Sequence, residues 1–190
     1  MGSRGRSGAP WALAAAVAAL AALAWAAPGR TQARSWEDRR ERFEGTWRLA
    51  YAPSRGQRIV DRAIDRAVAA MPFFSRPIAR PMLRDATPVN RRLTLRFSDD
   101  RRITIRFDDR DRYTTRVGET SGRYRTGDGD PMRITQRFQA DGALEQVFQT
   151  EDGTRWYVWR SIGDDRVRVH ATTQGDMMPQ PMRYALEYER

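Results

Sequence analysis

Phe43-Glu44-Gly45-Thr46-Trp47-Arg48-Leu49-Ala50-Tyr51 is the stretch on which the reading of the fold turns. Side chains alternate between the two faces of an extended chain, so Trp47, Leu49 and Tyr51 share one face. Gly45, two residues before the tryptophan, lets the chain bend closely where the strand starts. This reads as the opening strand of a closed β-structure, ended by Pro53. A Gly-x-Trp pattern alone occurs in many chains, so the rest of the sequence has to supply the barrel.

Between Gly56 and Met71 the period changes. Ile59, Val60, Ala63, Ile64, Ala67, Val68 and Met71 recur at intervals of three and four, with Arg and Asp on the other side, and this predicts an amphipathic helix limited by Pro72. Phe73, Phe74, Ile78, Met82 and Leu83, interrupted by Pro77 and Pro81, predict a second, short and irregular helix. Residues 56–86 are therefore a helical pair inserted after the first strand. Beyond Pro88 the period is two. Leu93, Leu95 and Phe97, then Ile103, Ile105 and Phe107, form a hairpin around Ser98–Arg101 with one apolar and one arginine-rich face. Strands follow near 112–117, 121–125, 131–138, 143–150, 154–161, 165–172 and 182–189, and the turns between the later ones carry Gly, Asp or both. The count is ten, which predicts a mostly β fold: a ten-stranded antiparallel up-and-down β-barrel with a helical pair after the first strand. An outer-membrane barrel would place the arginine-rich faces in its lumen, and the long insert and short strands fit it poorly.

With 190 residues, one domain plus a short appendage is expected. Residues 1–33 have the anatomy of a secretory signal peptide: Arg4 and Arg6, an apolar run from Trp11 to Ala27, then small residues, with cleavage after Ala26 or after Ala33. A periplasmic or secreted location is the expectation, with residues 34–42 as a flexible lead-in and 43–190 as the barrel. Cysteine is absent, which excludes disulfides and thiolate metal sites. The formal net charge is +10; loss of Arg4, Arg6 and Arg30 with the signal leaves +7, a balance that attracts anionic surfaces without selecting among them.

Phe43-x-Gly45-x-Trp47-x-Leu49, the helical pair directly after it, the nine further strands and the closing Leu186-Glu187-Tyr188-Glu189-Arg190 resemble the intracellular fatty-acid-binding proteins, within the calycin group that includes the lipocalins. The resemblance covers about residues 43–190 and implies a lipid carboxylate held inside the barrel by an arginine on a late strand and an Arg-x-Tyr pair on the last. Asp152-Gly153 followed by Val158-Trp159-Arg160 matches the hairpin that carries the late-strand arginine, and on that register Trp156, Val158 and Arg160 point inward. Tyr188 keeps the tyrosine of the last strand, while Leu186 stands where the second arginine would be. The export signal departs from the cytoplasmic family and leaves a periplasmic or extracellular lipid-binding role. By the same resemblance Trp47 is a plug at the barrel base, a structural role shared with Gly45.

An inward Arg160 needs an acceptor, either a ligand carboxylate or phosphate or an internal carboxylate. On one phase of the preceding strand Glu145 or Glu151 supplies it; on the other, Leu144 and Phe148 point inward and the acceptor is missing. The expected ligand-binding set is Arg160, Tyr188, Trp156, Val158 and Phe107, around a hydrophobic small molecule such as a fatty acid. The helical pair reads as a lid over the barrel mouth, through Ile59, Ile64 and Val68, or as a plain cap. His170, the single histidine, is expected on the surface. No motif for hydrolysis, phosphoryl transfer or redox chemistry is present, so no catalytic residue, metal or cofactor is named and an enzyme is not expected. Arg96, Arg102, Arg106 and Arg168 suit transient contact with an anionic membrane surface; without interleaved exposed aromatics a nucleic-acid partner is not expected. A monomer is expected. The alternative is an envelope structural or protein-interaction barrel filled by its own side chains.

Overall fold

The computed structural model describes residues 36–190, so the expected signal segment lies outside the described residues. Ten strands form one antiparallel sheet: β1 (Gly45–Leu49), β2 (Arg92–Phe97), β3 (Arg102–Phe107), β4 (Asp111–Arg116), β5 (Thr120–Arg125), β6 (Pro131–Phe138), β7 (Leu144–Gln149), β8 (Gly153–Ser161), β9 (Arg166–Gly175) and β10 (Met182–Glu189). Their order is 4-3-2-1-10-9-8-7-6-5. Consecutive strands pair throughout except at β4 and β5, and β1 pairs with β10 through Leu49 and Tyr188. The sheet thus curls into a nearly closed barrel with a single seam, as the alternation predicts.

The alternation also decides inside and outside. Leu93, Leu95, Phe97, Ile103, Ile105 and Phe107 are buried in the interior, each burial contributing about 1.5–3 kcal/mol. The opposite face of the same hairpin, Arg96, Arg102 and Arg106, is exposed. Cross-strand and turn carboxylates meet many of these arginines: Arg102 pairs with Asp100 at 2.8 Å and Arg168 with Glu187 at 2.6 Å. An apolar interior under a charged exterior is the reverse of an outer-membrane barrel. Among the described residues no helix is long and apolar enough to cross a membrane.

Three helices cover the barrel ends. Most of the 34–42 stretch expected as a flexible lead-in is helix α1 (Trp36–Phe43), which runs into the expected barrel start at Phe43. Its apolar stripe is only Trp36 and Phe43, seven residues and two turns apart, which charged residues between them conceal in the sequence. Both rings enter an aromatic cluster at the β2–β3 and β6–β7 hairpin end: Trp36 meets Phe97 and Phe138 edge-on at 5.5 and 6.2 Å, and Phe43 lies 6.1 Å from Phe138. Trp47 is buried beside them, donates from Nε1 to the Phe43 carbonyl at 2.9 Å, and carries the Arg190 guanidinium over its ring at 4.5 Å. It closes this end of the barrel. Gly45 has φ of +138°, yet an added Cβ would meet only Arg190 at 3.9 Å. Backbone conformation, in keeping with the bend read from the sequence, is what asks for glycine there.

At the opposite end, α2 (Pro53–Ala69) and α3 (Arg76–Ala86) form the inserted pair. Proline in the first turn starts each, and Pro72 stops α2. The α2 stripe Val60, Ala63, Ile64, Ala67 and Val68 is buried against Met71, Met178, Met182 and Tyr184, over the β9–β10 turn. Gly56 is where α2 crosses closest to the barrel, since a Cβ there would lie 2.9 Å from Val89 and 3.2 Å from Leu49. Helix α3 buries none of its residues; Arg80 pairs with Asp65, and Arg84 with Asp61 at 3.1 Å, holding it to α2. Phe73, Phe74, Ile78 and Met82 are left exposed.

Candidate functional site

The site is built on the phase of β8. Leu144, Gln146 and Phe148 of β7 are buried and lie opposite Trp159, Tyr157 and Arg155 of β8. Trp159 is fully buried, so alternation carries Tyr157 and Arg155 inward with it. Trp156, Val158 and Arg160, expected inward, are on the outer face. Arg160 is exposed and pairs on the surface with Asp141 of the β6–β7 turn. That guanidinium holds the Asp141 carboxyl below the usual aspartate range, with the Ala143 amide contributing. Trp156 lies across from Val147 and Thr172, and Val158 across from Glu145 and His170. Residues 156–159, Trp-Tyr-Val-Trp, carry a large apolar side chain on both faces, so the sequence offers two phases; a one-residue slip turns every side chain over. The interior needs Trp159 between Leu144 and Val169, and this settles the phase.

The inward arginine of this strand is therefore Arg155. Its Nε donates to Thr173 Oγ1 at 3.4 Å, and Tyr157, Tyr184 and Tyr113 surround it. No ion pair among the described residues includes Arg155; Glu145, the acid considered for an inward arginine here, pairs with Arg137 instead. Burial works against the charge of Arg155, while the three tyrosines favour it, and the balance puts its pKa above the ordinary arginine value. Burial also pushes the Tyr113 phenol up to about 12, and the Tyr184 phenol further in the same direction. Both are neutral at pH 7, so they offer oxygen lone pairs to the guanidinium without an opposing charge.

Tyr188 and Phe107 are inside, as expected. Tyr188 is buried and donates to the Asn90 carbonyl at 3.2 Å; burial raises its pKa well above the usual tyrosine value. With Asn90, Leu93, Tyr157 and Tyr184 these two residues line a cavity of about 20 Å³, room for roughly one water molecule. Phe107 joins Tyr113, Phe148 and Tyr157 in a ring cluster with centroids 5.4–6.1 Å apart.

A second polar group crosses the interior. Trp159 Nε1 donates to Gln146 Oε1 at 2.8 Å, Gln146 Nε2 to Gln136 Oε1 at 2.5 Å, and Gln136 Nε2 to the Ile103 carbonyl at 2.8 Å and Thr115 Oγ1 at 3.1 Å. This chain spans from β8 to β3 and β4. His170 is on the exposed outer face, and partial desolvation there, together with the charges of Arg168 and Arg160, lowers its pKa. Among the described residues no group of three His, Asp or Glu is placed to hold a metal.

Sequence reasoning missed Arg155, Tyr157, Tyr184 and Tyr113. The available signal was the opposite phase, with Leu144 and Phe148 inward and no acid for the arginine, which is the arrangement found.

No family model matches the chain, and no curated protein does. Solved structures of similar chain course include a fatty acid binding protein of Schistosoma mansoni in complex with arachidonic acid (16% identity, TM-score 0.47, 78% of this chain and 95% of that one). A mutant of the fluorescent protein UnaG (15%, 0.45, 79% and 96%) and As-p18, an extracellular fatty acid binding protein (13%, 0.45, 79% and 96%), are further examples. At this level of identity the barrel assignment stands on the strand order and the position of the helical pair.

Proposed function

We propose that this chain is an exported binding protein that holds a hydrophobic anionic ligand, such as a fatty acid, with the anionic end at Arg155 and the tyrosines around it. The observation that carries this is a guanidinium directed into the barrel with phenols and, among the described residues, no carboxylate paired with it. Its acceptors among the described residues are hydroxyl oxygens of Thr173 and Tyr157, and a ligand carboxylate would add the opposing charge that they lack. The apolar residues beyond, Leu93, Leu95, Ile105 and Phe107, suit a hydrocarbon tail. Export rests on the signal anatomy of residues 1–33. The cavity of about 20 Å³ is far below the roughly 300–1,000 Å³ of sites that enclose small molecules, so loading requires the interior rings to move apart.

The test is titration of a fluorescent long-chain fatty acid into delipidated protein. Wild type binds; Arg155→Met, folded by circular dichroism, loses roughly 10- to 100-fold in affinity through the lost charge-assisted hydrogen bonds. Equal affinity in the two proteins removes Arg155 from the site.

The helical pair supports transient contact with an anionic membrane surface. Residues 53–86 carry seven arginines against three aspartates, and Phe73, Phe74, Ile78 and Met82 are exposed beside them. Co-sedimentation with phosphatidylglycerol vesicles falls severalfold in Phe73→Ser/Phe74→Ser; vesicle binding that is unchanged removes this contact.

The small cavity favours a second reading, a barrel filled by its own side chains that serves as an envelope structural or protein-interaction module. A wild-type protein that binds no fatty acid in the same titration selects it.

A further inference from the structure

The seam between β4 and β5 is spanned by side chains instead of a backbone ladder. At one end Gln136, fully buried, reaches from β6 to Ile103 and Thr115. At the other the link is Tyr124, on a strand whose pairing shifts between Ser121 and Tyr124. The Tyr124 hydroxyl accepts from the Thr114 amide at 2.6 Å and donates to the Thr114 carbonyl at 2.8 Å; Arg123 donates to the same carbonyl at 3.1 Å. Tyr124 thus stands in for the strand partner that β4 lacks on this side.

Outside the seam lies an open cleft of about 330 Å³, lined by Arg102, Arg116, Arg123, Glu119, Thr120 and Ser121. Glu119 is 3.7 Å from Arg116, and Asp100 pairs with Arg102, so the mouth keeps a positive excess. Inside the seam, the Tyr124 ring meets Tyr113 edge-on at 5.1 Å, and Tyr113 is one of the three phenols around Arg155. Tyr124 and Tyr113 thus stand in turn between the seam and the surroundings of Arg155.

We infer that this seam is the route by which an anionic ligand reaches Arg155, with the Tyr124 side chain as its gate. The inference rests on the interior site proposed above. Elsewhere around the wall a passing ligand has to break a backbone ladder, whereas here it displaces a half-exposed phenol whose three hydrogen bonds, two with Thr114 and one from Arg123 at 3.0 Å, water can replace. The glutamine bridge, buried and fully paired, stays shut. Guanidiniums at the mouth raise the local concentration of an anion and speed its encounter.

Stopped-flow binding of the fluorescent fatty acid tests this. Tyr124→Phe, which keeps the ring and removes the hydroxyl's two bonds with Thr114 and its one from Arg123, raises association and dissociation rate constants together by roughly tenfold and leaves equilibrium affinity within about twofold. Arg102→Gln/Arg116→Gln, which leaves the clasp untouched, lowers the association rate and flattens its dependence on ionic strength, and it carries the test if Tyr124→Phe does not fold. Unchanged rates in these variants, with wild-type affinity intact, overturn the seam as the route and leave the interior site standing. A wild type that binds no fatty acid, or an Arg155→Met variant that binds as well, overturns the interior site and the route with it.

Discussion

On β6 and β7, Gln136 and Gln146 are fully buried and each of their amide groups has a partner, from Trp159 Nε1 at one end to the Ile103 carbonyl at the other. On β8, in the same barrel, Arg155 is set among phenols, has a long hydrogen bond to Thr173 and one with Tyr157, and meets no acid among the described residues. Both groups lie on the inward face of neighbouring strands, yet one is complete and the other is not. A polar group whose bonds are all made within the chain holds the structure in one arrangement; a charge left without an opposite is an invitation to something outside the chain. The glutamines fasten the barrel across its seam, and Arg155 is where the barrel has bonding capacity to offer.

The sharpest way to break this contrast is Gln146→Leu. It strands the Trp159 N–H and the Gln136 carbonyl oxygen in the interior, and equilibrium denaturation is expected to show a loss of about 2–4 kcal/mol, one to two kcal/mol for each orphan. A loss under 0.5 kcal/mol, on the order of a surface substitution, shows that water fills the vacancy and that the chain of amides is not a fastener.

The tyrosines around Arg155 give a pH test. Tyr113 is neutral in the folded chain up to about 12, whereas in the unfolded chain it ionises near the ordinary value of 10.0. Its stabilising contribution is therefore complete below pH 10 and is lost as pH rises towards 12. After discounting for the partial exposure of the ring, a decline on the order of 1–2 kcal/mol is expected over that window. Phenolate absorbance that rises fully near pH 10 while the fold persists contradicts this environment.

Removing the incomplete group has the opposite sign from removing the complete one. Arg155→Met is expected to stabilise the ligand-free protein by about 1 kcal/mol, because a methionine needs no acceptor in the interior. A destabilised variant indicates that the phenols already satisfy the guanidinium. The smallest effect belongs to Arg160→Ala, which deletes an exposed pair with Asp141 worth less than about 1 kcal/mol and leaves fatty-acid affinity unchanged. Loss of binding in that variant restores Arg160 to the site.

Much of this fold is legible in the residues because its periods are clean. Leu93-Thr94-Leu95-Arg96-Phe97 and Ile103-Thr104-Ile105-Arg106-Phe107 allow one assignment of faces, and the structure keeps it. The three-and-four spacing of Val60, Ala63, Ile64, Ala67 and Val68 likewise fixes a helix and its buried stripe. Helix α1 escapes such reading, because two apolar residues separated by six charged ones make no visible stripe until Phe97 and Phe138 are there to receive them. The site escapes for a related reason. Trp156-Tyr157-Val158-Trp159 suits either face, and the hairpin match at Asp152-Gly153 favoured the phase that the structure reverses.

By itself the sequence determined ten strands, a helical pair after the first, and an apolar interior under an arginine-rich surface; these follow from local periodicity and turn chemistry, whereas the closing of one end by Trp47 was implied by the family resemblance. Tertiary structure decided which of two arginines on β8 enters the barrel, which phenols surround it, and where the wall lacks a ladder. Those depend on the register between β7, β8 and β9 and on how ten strands close, and a one-residue difference in register exchanges Arg160 for Arg155 without altering any local preference.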